Sequence, residues 1–457
     1  MRSTPEAATK PPSAPAAPRP SWREGWAVYL QRRVLIVLLL GFSSGLPLAL
    51  SGSTLLVWMR ESGVDLGTIG LFALVGTPYT LKFLWAPLVD ALHVPFFTRA
   101  FGRRRGWLVF SQLLLIGAIL LLALTDPARS PLFVALGALL VATMSSTQDI
   151  VVDAFRVESL PESEQAAGMA SYVAAYRIGM LVSTAGALFM VSAFESTGLT
   201  RGAAWMWGYV AMAALVLIGT VTALAATEPG QSARAEAATH GEAAFTRVIH
   251  AAVGAFSEFL VRKDALAALA FVVLFKFTDA FSGTMTAPFV IDLGFTRNDY
   301  AAIVKGVGLA ATLIGGFAGG YVARRYSLAA SLWIGGVLQA VANLSFSWLA
   351  YIGVNQWALA FAISTENFTS AIGTVIFVAY LSALCKNPLH TATQYALLTA
   401  LAAVGRTYLS SGAGYVAKAT GWPLFFAICV VVAVPSLILL AWLQRRGHFD
   451  ELGPVKL

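Results

Sequence analysis

Charge is scarce in this chain. Asp, Glu, Lys and Arg together supply 12% of its 457 residues, about half the roughly 25% of soluble globular proteins. That shortage excludes a string of soluble domains, a nucleic-acid binder or a disordered polymer as a description of the whole. Cysteine is scarcer still: Cys385 and Cys429 lie far apart in apolar stretches, without the spacing of a metal or redox motif. The five histidines, His93, His240, His250, His390 and His448, fall in connections or at span ends, which argues against a histidine proton relay or metal centre. No H-E-x-x-H helix occurs, and the G-x-S-x-G match at 41–45 (GFSSG) falls inside a long apolar run and not at a strand-to-helix elbow, so an intramembrane hydrolase has no visible machinery. No metal and no cofactor are expected.

Apolar side chains are what the chain has in abundance, at 58%. A membrane-spanning helix needs about 20 mostly apolar residues. Runs of that kind recur twelve times, near 34–58, 67–90, 107–124, 131–154, 166–192, 203–226, 266–291, 298–322, 328–350, 355–384, 391–417 and 422–444. Backbone polar groups in lipid must be satisfied internally, so the pattern predicts an all-α membrane protein with twelve transmembrane helices. With the N-terminus inside, 21 of 31 Lys and Arg residues fall on the cytoplasmic side, and Arg60, Arg129, Arg201, Arg297 and Lys418 on the other. Cytoplasmic loops retain positive charge, so both termini are expected to be cytoplasmic.

Residues 1–33 read as a disordered Pro- and Ala-rich tail followed by an interfacial segment, where Trp22, Trp26 and Tyr29 stand beside Arg23, Arg32 and Arg33. No signal peptide is expected there. Two six-helix halves, 34–226 and 266–444, flank a cytoplasmic linker at 227–265, in which Phe245, Ile249, Val253 and Phe256 recur at helical spacing. Residues 445–457 form a C-terminal tail.

The halves look duplicated. Ser146-Thr147-Gln148-Asp149 in the fourth run matches Ser364-Thr365-Glu366-Asn367 in the tenth, and Arg177 with Ser183 and Gly186 matches Arg406 with Ser410 and Gly412. The APLVDAL and GRRRGWLV segments between runs two and three have a counterpart in GGFAGGYVARRYSLAAS between runs eight and nine. The first of these loops resembles the cytoplasmic signature of the major facilitator superfamily, with Asp90 and Arg103, Arg104 and Arg105 in its charged places. Pro87 stands where that signature usually has glycine. The resemblance implies a gating latch, to which Arg156 at the cytoplasmic end of run four is a candidate contributor.

Nine ionisable residues fall inside predicted spans: Lys82, Asp149, Asp153, Arg177, Lys276, Asp279, Lys305, Glu366 and Arg406. At roughly 3 kcal/mol each their unpaired insertion would cost about 27 kcal/mol, more than the roughly 5–15 kcal/mol that holds a fold together. They must pair or face water. Five are basic and four acidic, so mutual pairing leaves one positive charge, which suits a cavity for an anionic solute. Asp149, Asp153 and Arg156 share a helical face. Two carboxylates close together in low dielectric repel, a setting suited to a proton carrier; alternatively Arg156 simply neutralises Asp153. Lys276 and Asp279 are three apart and either form a structural pair or open to solute. Lys82, Lys305, Arg177 and Arg406 have no acidic neighbour in their own runs and are candidates for carboxylates on a solute. Gln148, Asn367, Tyr79, Trp85 and Tyr176 are candidates for hydrogen bonds or stacking on sugars, with packing as the alternative. Glu366 belongs to the same inward set.

Several stretches together resemble the AmpG-type muropeptide permeases of bacterial inner membranes: GFSSGLPLALSGSTLLVWM at 41–59, YTLKFLWAPLVD at 79–90, FGRRRGWL at 101–108, STQDIVVDAF at 146–155, AAYRIGMLVS at 174–183, LFKFTDAFSG at 274–283, KGVGLAATLIGG at 305–316 and ATQYALLTALAAVGR at 392–406. The likeness implies a multi-pass major facilitator carrier that imports N-acetylglucosaminyl-anhydromuramyl peptides from periplasm to cytoplasm, driven by protons. It places the family's acidic pair on Asp149 and Asp153. Its expected partners are an anionic sugar-peptide solute, protons and the lipid bilayer, with no nucleic acid, and a monomer is the expected state. The STQD region also resembles eukaryotic acetyl-CoA transporters, which leaves another large anion as an alternative cargo.

Overall fold

The computed structural model describes residues 28–86, 89, 92–229, 264–384 and 391–452. Among them every regular element is helical. Ten helices are long and apolar enough to cross a membrane. In chain order the twelve ranks are α1 Arg32–Glu61, α2 Leu66–Leu81, α3 Arg103–Ala123, α4 Pro131–Ser159, α5 Ala167–Ser196, α6 Arg201–Ala225, α7 Ala265–Asp292, α8 Arg297–Ala323, α9 Leu328–Ile352, α10 Gln356–Leu384, α11 Thr391–Thr420 and α12 Trp422–Arg445. The second and eleventh complete the twelve, and both are interrupted by tight 3-10 turns, at Phe72–Gly76 and Leu409–Gly412. The predicted amphipathic helix of the linker and the aromatic anchors Trp22 and Trp26 lie outside the described residues.

Helix starts follow local chemistry. Asp65 accepts from the N–H groups of Gly67 and Thr68 at the head of α2, Thr200 caps α6, Ser327 caps α9, and Thr296 with Asp299 forms a capping box on α8. At the start of α3 no side chain of the preceding residue caps the helix; instead Glu228, from beyond α6, accepts from the backbone N–H groups of Arg104 and Arg105 at 2.8 and 3.0 Å. A carboxylate there also meets the positive end of the helix dipole.

Glycines set the closest helix approaches. A Cβ built at Gly45 of α1 would lie 2.1 Å from the Tyr176 carbonyl oxygen of α5, and one at Gly414 of α11 would lie 1.8 Å from the Leu66 carbonyl oxygen of α2. Small residues permit backbone-to-backbone packing of this kind between membrane helices. Rings of Leu, Phe and Trp, such as Leu121, Leu136, Phe317 and Trp357, stay exposed on the outside, as a lipid-facing surface requires.

Five helices are irregular. Wide π turns occur in α1 at Leu50–Thr54, in α5 at Val182–Gly186 and in α8 at Tyr300–Val307, and the 3-10 turns of α2 and α11 complete the set. Gly52 sits in the first of these with φ −104° and ψ −112°. The irregular turns of α5 and α8 touch, as do those of α2 and α11. Departures from helix geometry thus concentrate where the halves meet, which is where carriers build their solute sites.

Candidate functional site

A two-lobed cavity lies between the halves at the level of those turns. The first lobe, about 460 Å³, is bounded by Ser51, Gly52, Tyr79, Gly283, Arg406 and Thr407 among others. The second, about 360 Å³, is bounded by Arg177, Lys305, Thr312, Glu366 and Asn367 among others. Ser53, Leu56 and Gly283 border both, so the lobes are parts of one space. Each volume falls within the range of small-molecule sites.

Charge in the lining is mostly basic. Arg177, Lys305 and Arg406 have no ion-pair partner among the described residues, and Lys305 lies 5.4 Å from the centre of the Tyr300 ring. Arg177 and Arg406 occupy matching places in the repeat and enter different lobes. Their guanidinium groups are suited to bidentate contact with carboxylates.

Beside the cavity in the first half, Asp149 is buried, accepts from Ser44 Oγ at 2.7 Å and faces Lys82 Nζ at 3.9 Å. Gln148 Nε2 donates to the same serine at 3.4 Å. Lys82, with no acid in its own helix, therefore has one across the helix gap. Asp153, one turn along, pairs with Arg156 at 3.8 Å; its carboxylate is 49% exposed against 9% for that of Asp149. Asp149, Asp153 and Arg156 thus form a ladder from the bundle interior towards the arginine-rich end. Tyr176 tilts against Tyr172 with ring centres 5.9 Å apart. Trp85 borders neither lobe; its indole donates to Thr147 Oγ1 at 3.2 Å and it packs on the cluster around Leu108 and Phe155.

In the second half Lys276 donates to Asp279 at 3.3 Å and to Thr374 at 2.8 Å, while Ser370 donates to the other Asp279 oxygen at 2.7 Å. Asn367 bridges α10 to α8, accepting from Thr312 at 3.1 Å and donating to Glu366 at 2.9 Å. Lys276 and Asp279 border neither main lobe.

At the arginine-rich end, Arg104 holds Glu158 of α4 through two bonds of 3.0 and 2.6 Å, Arg103 reaches it at 3.5 Å, and Arg105 donates to the carbonyls of Ala223 and Leu224. These contacts tie α3 to its neighbours within one half. Asp90 lies outside the described residues.

The bonds that join the halves lie elsewhere; sequence reasoning treats their basic residues only as loop charge and does not single out their acids. At the far end Arg297 of α8 pairs with Glu61 of α1 at 2.6 Å and with Glu195 of α5, Arg201 approaches Glu195 at 3.6 Å, and the Trp205 indole donates to Glu61 at 3.1 Å. Beside them Arg60 pairs with Asp292 of α7, which also accepts from the Trp422 indole at 3.1 Å. Lys418 of α11 reaches Asp65 at 3.5 Å. The Thr68 hydroxyl, bonded to Asp65, holds that carboxyl below the usual range. Between described residues, every side-chain bond from one half to the other lies at this end, except one of 3.2 Å between Thr80 and Thr407 at cavity level. One partial signal is available: Glu61, Glu195 and Asp292 lie at the far ends of α1, α5 and α7, on the face that also carries Arg60, Arg201 and Arg297, although nothing along the chain says which acid meets which base.

A helical bundle whose halves clasp at one end around a basic cavity defines a secondary transporter. The Major Facilitator Superfamily profile matches residues 37–410, and the chain belongs to that superfamily and, within it, to the AmpG-type permeases. It is 39% identical over 427 residues to the anhydromuropeptide permease of Escherichia coli K12, covering 93% of this chain and 82% of that one. It is 34% identical to the putative transporter AmpG 4 of Rickettsia felis, covering 92% and 98%. The nucleoside transporter NupG shares the fold with a TM-score of 0.68 at 13% identity, covering 92% of this chain and all of that one.

Proposed function

We propose that this protein imports anhydromuropeptides across the bacterial inner membrane, from periplasm to cytoplasm, in symport with protons. The observation that carries the reading is the set of three bases, Arg177, Lys305 and Arg406, around one cavity without ion-pair partners among the described residues. A sugar-peptide offers carboxylates to such bases and hydroxyls to Tyr79, Asn367 and Thr312. The relationship to the E. coli permease supports the same cargo.

The arginine-rich end is read as cytoplasmic because positive charge is retained there. Both termini then face the cytoplasm, and a bundle clasped at the far end has its periplasmic gate closed. Asp149 is the proposed proton acceptor. Taking a proton would remove the charge that Lys82 faces at 3.9 Å and release that ammonium towards the cavity, where a solute carboxylate can replace the lost partner. Asp153, more exposed, offers the exit to the cytoplasmic side. Proton binding and anion binding would thereby favour the same rearrangement.

Purified protein in liposomes under an imposed pH gradient tests this, with labelled anhydromuropeptide, free peptide and acyl-CoA as competing solutes. Gradient-driven uptake of the sugar-peptide is expected, and Asp149→Asn should insert normally while losing its dependence on the gradient. Preference for acyl-CoA would overturn the cargo; full gradient-driven uptake by the variant would overturn the coupling role.

A further inference from the structure

The second half contains a small space beside the main cavity, sharing Glu366 with its second lobe. It is bounded by Thr278, Asp279 and Ser282 of α7, Gln339 and Asn343 of α9, and Glu366, Thr369 and Ser370 of α10. Its volume is about 10 Å³, close to the least that admits one water molecule. It is a space for one small occupant.

The wall is rich in oxygen and poor in free protons. The Thr278 hydroxyl donates to the Leu274 carbonyl, Ser282 to the Asp279 carbonyl, Thr369 to the Thr365 and Glu366 carbonyls, and Ser370 to the Asp279 carboxylate. With their protons turned away, these oxygens present lone pairs. Asn343 is 3% exposed, and its amide nitrogen donates to the Gln339 carbonyl at 3.0 Å and lies 3.5 Å from that of Ala340. Both partners are acceptors, which fixes the amide orientation, and its Oδ1 is left buried without a partner. A buried acceptor without a donor is costly.

Charge points the same way. Asp279 has Lys276 at 3.3 Å, but Glu366 has no base within ion-pair distance among the described residues. Lys305 borders the larger cavity together with Glu366 and lies against the Tyr300 ring. The groups immediately around the small space thus comprise two carboxylates and one ammonium. An ion placed there would find carboxylate, amide and hydroxyl oxygens, the ligands that hard cations take. Two carboxylates and one ammonium leave a net charge of about minus one beside the space, which suits a monovalent occupant.

We propose that this space is a sodium-sized monovalent cation site, liganded by Asn343 Oδ1 with the carboxylates of Asp279 and Glu366 and the hydroxyl oxygens of Thr278 and Ser282. An ion there ties α7, α9 and α10 together and stabilises the second half. Because it needs no solute, it can be tested apart from transport.

The test is the thermal midpoint of the purified full-length protein in detergent at fixed pH and ionic strength, with sodium chloride replacing choline chloride stepwise. A saturable rise of several degrees with sodium, smaller with potassium, is expected, because an ion that binds the folded state alone raises its stability by mass action. Asn343→Leu should abolish the rise, and Ser282→Ala should move its midpoint to higher sodium. If Asn343→Leu does not fold, saturable binding of radioactive sodium to the unmodified protein decides. Equal responses to sodium, potassium and choline, a sodium response kept intact in both variants, or absence of saturable binding would overturn the proposal. The series is repeated at several fixed pH values, and a midpoint that changes with pH but not with sodium at any of them would also overturn it, since a proton would then take the place of the ion.

Discussion

Removing Arg297 should open the far end of the bundle. Its side chain is 8% exposed and serves two carboxylates, Glu61 at 12% and Glu195 at 27% exposure. Its guanidinium also lies 5.7 Å from the Trp205 ring. Breaking a buried pair by deleting one partner costs about 3–5 kcal/mol, because the other charge stays behind desolvated. Here some compensation survives: Glu195 keeps Arg201 at 3.6 Å and Glu61 keeps the Trp205 indole at 3.1 Å. The lower limit, about 3 kcal/mol, is therefore the better figure for Arg297→Ala, and it corresponds to roughly a hundredfold shift from the clasped towards the open conformer. Spin labels at Leu199 and Val354, both exposed on far-end connections of opposite halves, report the separation by double electron–electron resonance. A new, longer distance should appear in Arg297→Ala and recede in the charge exchange Glu61→Arg with Arg297→Glu. An unchanged distance distribution, with uptake also unchanged, would refute the view that these ions hold the gate.

Three further outcomes follow from the same geometry. Arg406→Gln should weaken apparent affinity for an anionic sugar-peptide by roughly ten- to a hundredfold, the worth of one charged hydrogen bond, and a matching loss for an uncharged sugar analogue would show that the change is not one of charge recognition. Gly45→Ala should lower thermal stability in detergent by at least about 1–3 kcal/mol, because its Cβ meets the Tyr176 carbonyl at 2.1 Å, whereas Gly117→Ala meets nothing within 4 Å and should be neutral; similar midpoints for both would refute the packing argument. The Asp65 carboxyl is held below its ordinary value by Thr68, so its contribution is present above the ordinary carboxylate range near 3.9 and is lost as pH falls through the depressed value. Asp65→Asn should therefore differ from the unmodified protein in stability at neutral pH and converge with it only in strong acid.

Much of the architecture was legible because lipid imposes a coarse rule. A run such as 328–350 has to be helical whatever its neighbours are, and it emerges as Leu328–Ile352. The basic lining was partly legible for a related reason: Arg177, Lys305 and Arg406 are too costly in lipid to stay unpaired there, so they had to pair or face water, and the structure sets them around the cavity. Partner choice was not legible. Lys82 meets Asp149 across a helix gap, and no spacing within either run encodes that meeting. The far-end clasp escapes the sequence because positive-inside counting treats Arg60, Arg201 and Arg297 as charges that set orientation, and although Glu61, Glu195 and Asp292 fall on the same face, no spacing along the chain pairs them with those bases. Arg103 and Arg104 also meet Glu158 of α4 within their own half, a contact that the G-R-R-R run does not announce.

The internal repeat conveys similarity and conceals a difference. S-T-Q-D and S-T-E-N carry their acids at the fourth and third places respectively, and one residue along a helix turns a side chain by about 100°. Asp149 accordingly points between helices, to Ser44 of α1 and to Lys82 just after α2. Glu366, displaced by one position, borders both the second lobe and the small oxygen-lined space beside Asp279, while Asn367 takes the interhelical place and binds Thr312 of α8. The same backbone thus sets an acid against a lysine in one half and an acid without a contacting base in the other. The two segments match in sequence, and a shift of one residue gives their charges different surroundings. A carrier that must respond to two different ligands gains from that asymmetry, since identical halves would make identical contacts and neither could be biased without the other.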